Sequence, residues 1–345
     1  MDTKLFEKLA TIPGISGREE RIRAFVKDEL ATSVDEVRLD RLGNVIGVRN
    51  GTAPRVMLSA HMDTIGFLVS QIDDDGFLRI SPVGGFDART MVIRRVLVQG
   101  RKDLIGLVSP MTKPIHLLTE EERKKVPKIE DLFVDLMLPA AEVKDLVSVG
   151  DPVSLYREPL FTERAVTTAY LDDRLGVYVM LEALRKASDS KAEICAVVSV
   201  QEEVGLRGAR TGAFEVDPDI GIAIDVTVAV DQPGVDKASQ VLKLGAGTAI
   251  GVMNASSIAD PRLVERFREL AVEHSIDHQM DILPFGGTDA GAIQLTRSGV
   301  PAITVSIPIR YVHTVNEMAL VSDIDATSDL LSRFLEGVHE MELTW

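Results

Sequence analysis

Along the first fifty residues the apolar positions change from a helical period to an alternating one. In "TKLFEKLATIPG" they recur at helical intervals and stop at Pro13-Gly14, which cannot continue a helix. "SGRE", from Ser16 to Glu19, has capping-box spacing, and Ile22, Phe25, Val26 and Leu30 then repeat with a helical period. "VRLDRLGNVIGVRNG" reads as a hairpin closed near Leu42-Gly43-Asn44, and "RVMLSAHMD" as a short buried strand ending at His61.

The texture changes between about residues 66 and 160. "FLVSQIDDDGFLRISPVGG", "RRVLVQGRKDLIGLVS" and "GDPVSLYRE" are short strand-like runs separated by Gly, Pro and Asp. The one helical stretch there is a charged one at 119–133. Such spacing predicts a small β-barrel. After residue 165, helical patterns such as "DDRLGVYVMLEALRKA" and "PRLVERFRELAVEH" alternate with the buried runs "EICAVVSV", "DIGIAID" and "VPAITVSIP". That alternation predicts an α/β sandwich with a largely parallel or mixed sheet. The expected organisation is one catalytic α/β domain, residues 1–65 and 161–345, interrupted by a β-barrel insertion at 66–160.

Composition narrows the function. The chain has 345 residues, 45% of them hydrophobic, enough for a sizeable core. A balance of 38 basic against 53 acidic residues gives a charge of −15, which argues against nucleic acid or an anionic membrane as partner. No apolar run approaches a membrane span. The N-terminus lacks the apolar region of a secretion signal, so a cytoplasmic setting is expected. The single cysteine, Cys195, lies inside an apolar run and reads as a core residue rather than a nucleophile.

The informative residues stand where apolar strands stop. "RVMLSA" leads into His61 and Asp63, "EICAVVSV" into Glu202 and Glu203, and "DIGIAI" into Asp225. "AITVSIPIRYV" leads to His313, and Asp172 and Asp173 stand just before a helix. In an open α/β sheet the carboxyl ends of the strands share one edge, so these residues are expected to converge. Imidazole with carboxylate and no thiolate suits zinc, cobalt or manganese in an open site. The set is too large for one tetrahedral ion and fits two ions with a bridging carboxylate, a site that activates water. One member of the Glu202–Glu203 pair is then free to take a proton. Taken singly, each piece has an ordinary reading: a glutamate pair is commonly solvated, Asp173 can be a helix cap, and a lone histidine is commonly a core residue. "PFGGTDAGA" is read as close backbone approach to a ligand, with Thr288 or Asp289 capping the next helix.

Assembled, the motifs "AHMDTIGF", "LDDRLG", "QEEVGLRGA", "DVTVAVDQPG", "GGTDAGAIQLTRSGVP" and "SIPIRYVHT", with "KPIHLLTEEERKK" in the insertion, carry a resemblance. The chain resembles the glutamyl/leucyl aminopeptidase family that includes the tetrahedral aminopeptidases, among the dinuclear-metal exopeptidases. The resemblance implies that His61, Asp172 and Glu203 hold one divalent ion and Asp172, Asp225 and His313 the other. It implies Glu202 as general base and Asp63 as the partner that orients the His61 ring. It further implies peptides with a free N-terminus as substrates, zinc foremost among the metals, a PDZ-like insertion, and a homo-oligomer built from dimers up to a tetrahedral dodecamer. Thr64 and Tyr170 depart from the common pattern and are expected to affect only pocket shape. Arg89, Lys243 and Arg310 are the basic candidates should the pocket select glutamate. The alternatives are an enzyme with the same metals acting on an N-acyl amino acid or, like a carboxypeptidase, on a peptide, or a non-catalytic assembly protein, which would have broken ligand sets.

Overall fold

The computed structural model of the protein describes residues 1–237 and 240–341. Strands β1 (Glu36–Leu39), β2 (Val45–Arg49) and β3 (Thr52–His61) come first. A second group follows: β4 (Gly66–Ile72), β5 (Leu78–Val83), β6 (Arg95–Gln99), β7 (Asp103–Pro110), β8 (Leu132–Asp135) and β9 (Pro152–Leu155). The remainder are β10 (Leu160–Phe161), β11 (Ala165–Thr168), β12 (Ala192–Ser199), β13 (Ile220–Val228), β14 (Thr248–Met253), β15 (His278–Ile282), β16 (Ala302–Arg310) and β17 (Glu317–Leu320).

The second group closes into a barrel, β4-β5-β8-β7-β6-β9, in which every pairing is antiparallel. Closure leaves no edge strand exposed. Phe67, Val96, Val134 and Val153 are among the side chains that fill it. The other strands form one mixed sheet in the order β1-β2-β12-β3-β13-β16-β17-β11-β10, with β14 joining β16 and β15 joining β14. The four strands β12, β3, β13 and β16 are parallel. The fold is therefore α/β with an inserted β-barrel.

Alternate residues of a strand face opposite sides, and both sides of this sheet are covered. Val56, Leu58, Ile194 and Ile222 pack with the helices Thr3–Thr11, Glu20–Leu30, Leu171–Lys186, Pro261–Glu273 and Val321–Gly337. Met57, Cys195, Val197 and Ala223 pack with the helices Arg207–Val216 and Asp289–Gln294 on the other side. Burial raises the Cys195 thiol to about 11, so it stays protonated, as a core residue should. No helix of the described residues is long and apolar enough to cross a membrane.

Two local expectations fail. The charged stretch 119–133 yields only two short turns, Glu120–Arg123, closed by a Thr119–Glu122 capping box, and the 3-10 turn Ile129–Asp131, before β8 begins at Leu132. Pro127 and the lack of any buried residue in the first turn leave nothing to extend it. "SGRE" does not cap the helix Glu20–Leu30 either. Ser16 Oγ donates instead to Asp63 Oδ2 at 2.5 Å, and Glu19 accepts from the Gly17 N–H at 2.6 Å.

One buried cation ties the sheet edge to the first helix. Arg174 is fully buried, and its guanidinium donates to the carbonyls of Met62 (2.7 Å), Leu9 (2.6 Å) and Ile12 (3.0 Å). The bonds to Met62 and Leu9 are buried, so losing their donor leaves those carbonyls unsatisfied in the interior. Arg174→Leu is expected to lower stability by about 3 kcal/mol or more in urea unfolding. A change below about 0.5 kcal/mol, the size of an ordinary surface substitution, would show that Arg174 does not hold this junction.

Candidate metal centre

Strand register places the site. Ser199 of β12 pairs with His61 of β3, Ala223 of β13 pairs with Ser59 of β3, and Asp225 pairs with Ser306 of β16. His61, Asp225 and the residues just past β12 therefore stand level at the carboxyl edge of the sheet. Glu202 and Glu203 follow β12, His313 follows β16, and Asp172 and Asp173 open the long helix Leu171–Lys186 beside them. The backbone turns sharply into these positions: Tyr170, Gln201 and His313 all have positive φ, at 71°, 56° and 59°. The peptide between Asp172 and Asp173 is cis.

Asp172 is the centre of the cluster. Its Oδ1 lies 3.1 Å from His61 Nε2, and its Oδ2 lies 3.3 Å from His313 Nε2. His313 Nε2 is also 3.4 Å from Glu203 Oε2, and His61 Nε2 is 3.9 Å from Glu202 Oε2. Two groups of three have ligand atoms within 4.8 Å of one another: His61 with Asp172 and Glu203, and His61 with Asp173 and Asp225. All of the expected site residues are thus brought together. Asp63 acts differently from the expectation. The His61 Nδ1 contacts the Asp63 main-chain oxygen at 2.9 Å, while the Asp63 carboxylate is 3.6 Å away. That carboxylate accepts from the N–H groups of Glu202 (2.9 Å) and Glu203 (3.2 Å), and so sets the conformation of the glutamate pair.

The electrostatics demand a cation. Burial drives the Glu202, Asp225 and Asp173 carboxyls well above their ordinary range, with neighbouring carboxylates adding to the effect. Glu203 rises to about 8, by burial and by the charge on Asp172. Burial opposes charge on both imidazoles, yet their surrounding carboxylates outweigh it, raising His61 well above its usual value and His313 to about 10. Asp172 is held far below the carboxylate range against its own burial, by the two imidazoles. The proton bookkeeping is informative. A carbonyl only accepts, so the Nδ1 of His61 carries a proton, and its Nε2 meets Asp172 either as an imidazolium or across a positive ion. Glu203 Oε1, buried and without a hydrogen-bond partner among the described residues, points to the same need. Imidazole and carboxylate donors in this arrangement fit divalent metal. The adjoining cavity of about 430 Å³ is lined by Gly85, Leu206, Thr227, Leu283 and Val312 beside the cluster, and by no Lys or Arg.

Residues 43–330 match the family model described as M42 glutamyl aminopeptidase. The chain belongs to this family. It is a hydrolase of the aminopeptidase class. It is 39% identical to the lysyl aminopeptidase of Pyrococcus furiosus, over 100% of this chain and 99% of that protein. Among solved structures it is similar to aminopeptidase APDkam598 from Desulfurococcus kamchatkensis, with 38% identity, TM-score 0.91, and 96% and 94% of the two chains covered. The TET1 peptidase of Pyrococcus horikoshii, described as able to assemble into a tetrahedron or a large octahedral shell, has 30% identity and TM-score 0.86, with 96% and 98% covered.

In this M42 chain, sequence reasoning missed two supporting carboxylates. Glu317 accepts from the N–H of His313 (2.7 Å) and of Asp172 (3.1 Å), joining the two loops that bear the central residues. Its signal was an acid at the head of the apolar strand "EMAL", four positions after His313. Asp289 does not cap its helix; it is buried under the cluster and accepts from Ser59 Oγ (2.7 Å) and Ser199 Oγ (2.6 Å). Thr288 does not cap through its side chain either, because its hydroxyl meets that of Thr304 at 2.8 Å. Asp173 does act at the helix start, its Oδ1 receiving the Gly176 N–H at 2.9 Å, and its Oδ2 also receives the His61 N–H at 3.2 Å. Thr64 and Tyr170 do not line the cavity. Thr64 bonds to Gly14, and the Tyr170 hydroxyl donates to the Leu155 carbonyl at 2.6 Å with its ring in the barrel core.

Proposed function

We propose that the chain is a dinuclear metal aminopeptidase that releases the first residue of peptides bearing a free N-terminus. The observation that carries this reading is the placement of Asp172, whose two oxygens face two different imidazoles. Such a carboxylate is a ready bridge. Glu203 Oε2 lies 3.4 Å from His313 Nε2, and Asp225 falls into a group with His61, which favours His61–Asp172–Asp225 and His313–Asp172–Glu203 as the two ligand sets, although Glu203 also lies in a group with His61 and Asp172. This division exchanges Glu203 and Asp225 relative to the one implied by the sequence resemblance. Zinc is the first choice for such donors, with cobalt or manganese next. Two such ions supply Lewis acidity, polarising the scissile carbonyl and acidifying a water at neutral pH.

The protein's own groups do the rest. Glu202 is held by Asp63 at the mouth of the cluster, with no hydrogen bond to its carboxylate among the described residues, and it takes the proton of the attacking water. It then returns that proton to the leaving amine. The surplus of carboxylates offers the substrate's amino group a partner. The barrel segment, residues 66–160, is proposed as the unit that supports self-assembly. The similarity to a cage-forming peptidase supports this. Light scattering at micromolar concentration should give a mass several times that of one chain; a monomer mass would reject the assembly.

The two adjacent glutamates should fail differently when changed. Glu202→Gln is expected to keep both metals and lose about 10²- to 10⁴-fold in kcat, the usual worth of a general base. Glu203→Gln is expected to bind metal below two per chain and to recover partly with added metal. Metal analysis beside kcat decides, and the opposite pattern would reverse the two roles.

N-acetylation of a peptide substrate should cut kcat/KM by about tenfold or more, the value of a lost charged hydrogen bond. Equal rates for free and acetylated peptides would favour the acylase reading.

A further inference from the structure

Beside the catalytic cavity lies a second, smaller one, and the two share Val226, Thr227 and Leu283. Its position follows from register. Asp225 and Thr227 lie two apart on β13 and so share a face. Ser306 of β16 pairs with Asp225, Ala249 of β14 pairs with Ser306, and Asp281 of β15 pairs with Gly251 of β14. A polar row thus runs along one face of the sheet, from the metal cluster through Thr227 to Asp281. Gly251 lets β14 approach β16 closely beside it: a Cβ there would come within 2.7 Å of the Thr304 carbonyl oxygen and 3.3 Å of its Cβ. The cavity offers about 20 Å³ of water-sized space, and its walls include Thr227, Asn254, Ser257, Thr304 and Ser306.

Asp281 is the one charged group in that wall. It is more than nine-tenths buried, and its hydrogen bond among the described residues comes from Thr227 Oγ1, at 2.8 Å to Oδ2. No ion pair reaches it among the described residues. Burial pushes its carboxyl upward with only Thr227 acting against this, as expected of a carboxylate lacking a positive neighbour. The basic candidates lie elsewhere: Arg310 is held by Asp231 at 2.5 Å, Arg89 by Asp87 at 2.6 Å, and neither they nor Lys243 lines either cavity. An anionic first residue would find no counter-charge here.

We propose that Asp281 is the specificity residue for the substrate's first side chain and receives the ammonium of an N-terminal lysine in this cavity. The size of the space favours ammonium over guanidinium, because it admits one water-sized group. The proposal rests on the aminopeptidase reading for its substrate and on the cavity for its ligand.

The test uses metal-loaded protein with lysyl-, arginyl-, leucyl- and glutamyl-p-nitroanilide, on the natural chain and on Asp281→Asn. Lysyl substrate should be favoured over leucyl by about 10- to 100-fold in kcat/KM, the worth of a hydrogen bond to a charged group. Asp281→Asn should erase that advantage and leave the leucyl rate within about threefold, a span smaller than one charged hydrogen bond. Equal loss on both substrates would mark Asp281 as structural, and a natural preference for the glutamyl or leucyl substrate would overturn the proposal. A second readout needs no turnover: calorimetric binding of free L-lysine against L-norleucine, which has the same chain without the ammonium. Lysine should bind more tightly, and the difference should vanish in Asp281→Asn; equal binding in the natural chain would reject the cavity as a lysine site. Should no p-nitroanilide be cleaved, the aminopeptidase reading fails, and the lysine–norleucine comparison still decides the pocket.

Discussion

Packing many carboxylates together at the buried edge of a sheet, with no lysine or arginine in ion-pair contact with them among the described residues, is the constraint on which the rest of this structure depends. Each ionised group would resist burial unless its charge were met. The supporting acids are met by neutral donors. Asp63 is held by the N–H groups of Glu202 and Glu203, Glu317 by those of His313 and Asp172, Asp173 by those of His61 and Gly176, and Asp289 by two serine hydroxyls. Apart from the local Asp173–Gly176 and Glu317–His313 bonds, each of these bonds also links segments distant in sequence. Neutral donors do not discharge these acids fully, since burial keeps Asp173 and Glu317 raised and Asp289 Oδ1 finds no hydrogen-bond partner among the described residues; the central set, Asp172, Glu202, Glu203 and Asp225 with two imidazoles, calls for metal.

The same economy explains how the barrel and the sheet meet. Tyr170 immediately precedes the central aspartates, and its ring is packed in the barrel core with its hydroxyl on the Leu155 carbonyl. From the barrel side, Gly84 and Gly85 follow β5 and come against Glu203 and His313; a Cβ on either would lie 3.5 Å from those residues. Gly85 also lines the catalytic cavity. Arg174 closes the junction from behind by gathering three carbonyls of the first helix and of the segment after His61. The insertion is therefore built into the wall of the site rather than appended to it.

The surplus of negative charge also has a consequence for recognition. A cavity with no basic side chain, opening beside an acidic cluster, favours positive groups on whatever enters. Two positive groups of one residue, an amino terminus and a side-chain ammonium, could then be met by two separate acidic features, the cluster and Asp281. The sheet register that aligns Asp225 with His61 extends the same polar row to Asp281 through Thr227.

By itself the sequence determined the fold class and the identities at the centre. Period-two and helical patterns separate strands from helices because they follow from local backbone geometry, and a polar residue ending an apolar run marks a strand end wherever the sheet lies. His61, Glu202, Glu203, Asp225 and His313 were legible for that reason, and Asp172 as an acid standing just before a helix. Tertiary structure alone decided what each group touches. Ser16 bonds to Asp63 instead of capping a helix, Asp289 reaches two serines on other strands, and the ring of His61 meets the main chain of Asp63 rather than its carboxylate. Glu317 and Asp281 become meaningful only when strands distant in sequence lie side by side. Those roles depend on register between strands and on which charges are left unpaired in a shared interior, and neither quantity exists until the chain has folded.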